Sequence, residues 1–203
     1  KDVAIHGHGT EMPGLALYQD LQAAISTQHG VRLEHRLESV KLLPDTGSND
    51  PDVYGAMTAR AVDQAEISAR DRARVFMLAI TAPAAVPNPG HRVEDRPMQE
   101  SGRPTAWSAT IDALAYGRAI DDSVPKFTYL HRDEEPTPRL FVLSAGNIRD
   151  VRAEDDHLDR SDAESVEDPA QAWNALVVGA YAEHDAMDHA PDVFAGYVPI
   201  AAR

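Results

Sequence analysis

An imidazole set between two glycines, where an apolar stretch gives way to a helical pattern, is the first chemically suggestive feature of the chain: Ile5-His6-Gly7-His8-Gly9-Thr10-Glu11-Met12-Pro13-Gly14. Gly7 and Gly9 let the backbone pass closely on both sides, and a histidine at a helix start can project into a cleft as a general base. A packed or solvated histidine is the plainer reading of the same residues, and spacing alone does not choose. A dinucleotide-binding fingerprint would need a third glycine three residues after Gly9, where Met12 stands. His6 and His8 could both reach a metal from an extended segment, but no third ligand follows at a recognisable spacing. His184 and His189, flanking Asp185 and Asp188, are equally unspecific.

The second cluster is Leu143-Ser144-Ala145-Gly146-Asn147, an apolar run ending in small residues and then an amide. Ala and Gly at a strand end let a ligand backbone come close, and an Asn amide is a directed donor for an oxyanion. It also reads as a strand closing in a turn. Ser108 opens a helical pattern behind Thr105, and its position suits a first-turn residue under a Thr cap better than a nucleophile. The acidic run from Glu154 to Asp168 lacks an EF-hand pattern and reads as a solvated charge run, so no metal and no cofactor is expected.

Elements must hold these groups in place. Leu15, Leu17, Tyr18, Leu21, Ala24 and Ile25 recur at helical spacing, predicting one helix over 10–28 with Thr10 as its cap and Gly30 as its stop. Val40-Lys41-Leu42-Leu43, closed by Pro44, predicts a strand. Asp52 is expected to cap a second helix that turns Val53, Met57, Ala61, Ala65 and Ile67 inward. The almost wholly apolar run Arg74 to Thr81 predicts a buried, parallel-type strand. A long Pro-rich loop over 83–104 leads to a third helix over 105–120, and strands over 139–144 and 175–181 flank an acidic loop over 150–170. This alternation predicts a single domain over 1–203 of the α/β class, a mainly parallel twisted sheet with helices on both faces.

Composition narrows the function. Lys plus Arg number 19 against 33 Asp plus Glu, a net charge of −14, which disfavours nucleic-acid phosphates as partners. No apolar stretch approaches the roughly 20 residues that span a bilayer, so no membrane association is expected. With no cysteine, neither a disulfide nor a thiolate-zinc site is available. Lys1-Asp2-Val3-Ala4-Ile5 shows no signal peptide, which makes a cytoplasmic location the expectation.

Taken in order, four landmarks resemble the subtilisin-like serine peptidases, or subtilases. His8-Gly9-Thr10, followed by Gly14 and a helix, looks like the family's His motif, and Val40 to Leu43 looks like the strand after it. Ser144-Ala145-Gly146-Asn147 looks like the oxyanion-hole motif, and Ala172-Trp173-Asn174-Ala175-Leu176-Val177-Val178-Gly179-Ala180 is similar to the next strand. The resemblance implies a subtilisin-like fold, a peptide or protein substrate, His8 as general base and Asn147 as oxyanion donor. It implies also that Ala79-Ile80-Thr81 forms an edge pairing with an extended substrate, with Ser144-Ala145-Gly146 as the facing wall of the primary specificity pocket. Thr81 and Ala82 stand where the family has glycines. The family's Asp precedes its His by about thirty residues and its Ser follows in Gly-Thr-Ser-x-Ala, whereas no serine follows Ser165 here. The expectation is therefore a central piece of such a peptidase, inactive by itself. The competing expectation is a non-catalytic α/β interaction module on a peptidase-like scaffold.

Overall fold

Three short apolar segments pair in parallel, in the spatial order β1 (Val75–Leu78), β2 (Leu140–Ser144), β3 (Leu176–Val178). The structure, a computed structural model, describes residues 8–27, 29–44, 46–47, 49–82, 102–118, 137–148 and 156–180. Two compact units make up the chain, Lys1–Ala73 and Arg74–Arg203. The α/β class is thus seen in the second unit as an open parallel sheet with helices. The apolar residues Val3 to Ile5 and most of the Pro-rich loop lie outside the described residues.

Register decides which side chains form the core of that second unit. Phe76 lies beside Phe141, and Leu78 beside Leu143 beside Val177, so one face collects Phe76, Leu78, Phe141, Leu143 and Val177. The Phe76 and Phe141 rings stack with centroids 5.2 Å apart. Helix α4 (Ala106–Ala115) lies against β2 and buries Trp107, Ile111 and Leu114. The opposite face carries Val75, Met77, Leu140, Leu176 and Val178, all exposed. The expectation that Arg74 to Thr81 is buried on both sides is therefore corrected: β1 is four residues long, with Val75 61% and Met77 45% exposed. Its period-two alternation makes the apolar run half-buried, and beyond Leu78 the chain leaves the ladder.

Thr105 caps α4 as the sequence predicts. Its hydroxyl accepts from the N–H groups of Trp107 and Ser108, while the Ser108 hydroxyl accepts from the Thr105 N–H at 2.8 Å, a complete capping box. The helix ends before the expected residue 120. Gly117, at φ +87°, closes it with Gly117 N–H donating to Leu114 C=O at 3.0 Å and Arg118 N–H to Ala113 C=O at 2.9 Å, the Schellman arrangement that needs a residue free to adopt a left-handed backbone. Within the acidic stretch, Asp156 caps a short helix, α5 (His157–Ala163).

The first unit departs further from expectation. The single helix predicted over 10–28 is two, α1 (His8–Tyr18) and α2 (Leu21–Ser26). Thr10 lies inside α1 and is not its cap. The break comes at Gln19, whose φ of 58° ends the right-handed path, and Asp20 starts α2 by accepting from the Ala23 N–H at 2.9 Å. Ile25, expected inside, is 81% exposed. Val40 to Leu43 forms no strand: the described residues of this unit contain no β-ladder to join, and an apolar run cannot be a stable strand without a partner. The Leu42 carbonyl instead accepts from the Asn49 amide at 2.9 Å.

The second predicted helix starts one step earlier in its capping. Asp50, not Asp52, is the cap: its carboxylate accepts from the Asp52 N–H at 3.1 Å and opens a 3-10 turn, Pro51–Val53. Helix α3 (Tyr54–Ser68) follows, burying Gly55, Thr58, Ala59 and Val62. That stripe is offset from the predicted one, and Val53 and Ile67 are exposed. Small residues and a threonine define the buried side because Thr58 satisfies its hydroxyl internally, donating to the Tyr54 carbonyl at 2.9 Å.

Candidate active site

The C-terminal ends of β1 and β2 are neighbours in register, Leu78 beside Leu143. Ala79-Ile80-Thr81 and Ser144-Ala145-Gly146 therefore leave the sheet at the same end, each half-buried, and Asn147 follows them exposed. The Ala145 N–H donates to the Val178 carbonyl at 2.9 Å, which continues the β2–β3 ladder one residue past the named strand. Gly146 then turns with φ +112°, a conformation that favours glycine.

A short crosspiece, Glu167-Asp168-Pro169, ties these two strand ends together. The Glu167 N–H donates to the Ala145 carbonyl at 2.9 Å on the β2 side. On the β1 side the Thr81 hydroxyl donates to Glu167 Oε2, and the Ala82 N–H donates to the Asp168 carbonyl at 2.8 Å in an isolated antiparallel bridge. Pro169, joined to Asp168 through a cis peptide bond, is fully buried. The Glu167 side chain lies hard against Gly146: a Cβ there would come within 2.6 Å of Glu167 Cγ. Gly146 is thus required twice, by its backbone angle and by the side chain that occupies the space of its missing Cβ. Thr81 and Ala82, where the resemblance calls for glycines, supply the hydroxyl and the N–H that hold this crosspiece.

Asp168 also reaches the neighbouring helix. Its Oδ1 accepts from the Thr105 hydroxyl at 2.6 Å, so one threonine both caps α4 and anchors the crosspiece. Burial pushes the Asp168 carboxyl above the usual aspartate range, against the lowering effect of the Thr105 hydrogen bond. In the window between the ordinary value and the raised one, the folded protein keeps a proton that the unfolded chain has released. Stability contributed by this group therefore falls as pH rises through that window. Asp168→Asn is expected to remove the dependence, so that wild type gains on the variant as pH is lowered from about 7 to about 4 in paired thermal melts. A difference that stays flat over that range would show that the carboxyl does not titrate in it.

Ser108 is buried and committed to the capping box, its hydroxyl donating to the Thr105 carbonyl at 3.0 Å, in keeping with the structural role expected for it. His8 is the first residue of α1, in the unit 1–73, whereas the strand-end residues and Asn147 belong to the unit 74–203. A Cβ at Gly9 or Gly14 would meet nothing within 4 Å. His6, His184 and His189 lie outside the described residues. Among the described residues no three His, Asp or Glu side chains gather as a metal site would require, and no helix is long and apolar enough to cross a membrane.

Glu167 is invisible to sequence reasoning, which places it in a solvated charge run. The available signal is the Asp168-Pro169 dipeptide at the end of that run, a turn-forming pair just ahead of an apolar strand.

No curated protein and no solved structure matches the chain. A model of the subtilase family matches residues 2–195, nearly its whole length. The open parallel sheet of the second unit agrees with that match, and the chain belongs to the subtilase family of serine peptidases.

Proposed function

We propose that this chain is the part of a subtilisin-like serine endopeptidase that supplies the general base and the oxyanion donor. His8 takes the proton of a serine nucleophile and later returns it to the leaving amine, and Asn147 donates its amide to the tetrahedral oxyanion. Ala79-Ile80-Thr81 offers an edge to an extended peptide, and Ser144-Ala145-Gly146 forms the facing wall of the pocket for its side chain. The observation that supports this reading is the parallel register of β1 and β2, with both segments leaving one end of the sheet beside an exposed Asn147. Ligands of open parallel sheets bind at the C-terminal strand ends.

The proposal extends to the 203 residues by themselves, which lack peptidase activity. They contain no Gly-Thr-Ser-x-Ala, no serine follows Ser165, and Ser108 is held in its cap. Incubation with a fluorophosphonate probe is expected to leave the chain unlabelled in intact-mass spectra. Stoichiometric addition of the probe would reveal a nucleophile within these residues and overturn this part of the proposal.

A further inference from the structure

We infer that Glu167 is a positioning residue: it fixes the turn from which Asn147 projects, and it acts on the reaction through that amide. The inference rests on the oxyanion reading of Asn147 given above and adds what holds the donor in place. Asn147 is exposed, so the aim of its amide is set by the backbone that carries it, the two residues Ala145 and Gly146. Glu167 grips both. Its N–H donates to the Ala145 carbonyl at 2.9 Å, and its stem lies against Gly146, where an added Cβ would come within 2.6 Å of Glu167 Cγ and 2.8 Å of Glu167 Cβ.

The grip has a fixed base. The Ala145 N–H donates to the Val178 carbonyl at 2.9 Å, so both backbone polar groups of Ala145 are held, one by β3 and one by Glu167. Glu167 is held in turn by the Thr81 hydroxyl, which donates to its Oε2. Its neighbour Asp168 is tied to the Ala82 N–H at 2.8 Å and to the Thr105 hydroxyl at 2.6 Å. The end of β1 and the cap of α4 thus brace the residue that holds the end of β2. Gly146, at φ +112°, is the residue type with the most freedom to drift, and a stem seated in the space of its missing side chain restricts that freedom. Such restraint matters for a donor that must meet a developing oxyanion at about 2.7–3.1 Å. A misplacement of about 1 Å in a catalytic constellation can cost about a hundredfold in rate. The contacts are made by the stem and by an acceptor oxygen, so the role asks for the length of the side chain and not for its charge.

A double-mutant cycle on peptide hydrolysis by the protein of the complete reading frame tests this. Glu167→Ala is expected to lower kcat by about ten- to a hundredfold in the wild-type background. Once Asn147→Ala has removed the amide, the same change should cost less than about twofold, because two substitutions that act through one group do not add. Glu167→Gln keeps the stem and an acceptor oxygen, and should recover most of the loss. Thr81→Val deletes the hydroxyl at similar shape and should give a smaller loss with the same dependence on Asn147; it decides the matter if circular dichroism shows Glu167→Ala unfolded. An equal loss with and without the Asn147 amide, or an unchanged kcat in Glu167→Ala, would overturn the positioning role and leave the oxyanion reading standing. Glu167→Gln as slow as Glu167→Ala would overturn it as well. Asn147→Ala turning over at the wild-type rate would overturn the oxyanion reading and the inference together.

Discussion

Asn147→Ala, made in the protein of the complete reading frame, is expected to lower kcat on a peptide substrate by about a hundred- to a thousandfold. That size is the known cost of removing one oxyanion-hole donor from another member of this family. What this chain contributes is the placement. Asn147 follows Gly146 at the C-terminal end of β2, exposed, after a turn that the glycine's φ of +112° makes. An amide there has no part in the buried core, and its removal should leave folding intact. KM is expected to change little, because the oxyanion exists in the transition state and not in the bound substrate. A rise in KM with kcat preserved would mean that Asn147 holds substrate and not the oxyanion.

Phe141→Ala should destabilise the protein by about 3–5 kcal/mol, the range for truncating a buried phenylalanine. Phe141 is 0% exposed, in the middle strand of the sheet, stacked on Phe76 and part of the same core as the buried residues Leu143, Ile111 and Leu114. Removing the ring leaves a cavity that β-ladders on both sides of β2 keep from collapsing. The functional consequence follows from the chain path, since β2 leads within a few residues to Gly146 and Asn147. Urea unfolding of the wild type and the variant measures the loss directly. A change below about 1 kcal/mol would indicate that this side chain is not the centre of the packing.

The strands and the helix of the second unit are legible from sequence because their signals are local. Arg139 to Ser144 announces β2 through an unbroken apolar run, and Thr105 with Ser108 three residues on announces the start of α4. Sequence misleads where the outcome depends on something not adjacent in the chain. Val40 to Leu43 has a strand's composition but no ladder among the described residues of its unit, and the break at Gln19 sits inside an apolar pattern whose period continues across it. The exposed second face of β1 follows from its register with β2, which an apolar run does not encode.

The candidate site is legible in the same uneven way. His8 and the Ser144 to Asn147 segment stand out as short motifs. Glu167 does not, because what gives it a role is contact across 86 residues with Thr81. Asp168 likewise becomes distinct from its acidic neighbours only through Thr105, 63 residues away. Composition and periodicity describe a charge run; they are silent on which of its carboxylates a pair of strand ends will capture.

Peptide hydrolysis by the protein of the complete reading frame, compared with its His8→Ala variant, bears most directly on the catalytic assignment. A drop in kcat of about 10⁶-fold is expected, the known cost of losing the general base in another member of this family, with the variant still folded by circular dichroism. Turnover that survives His8→Ala at the wild-type rate, or a complete reading frame that cleaves no peptide at all, would contradict it.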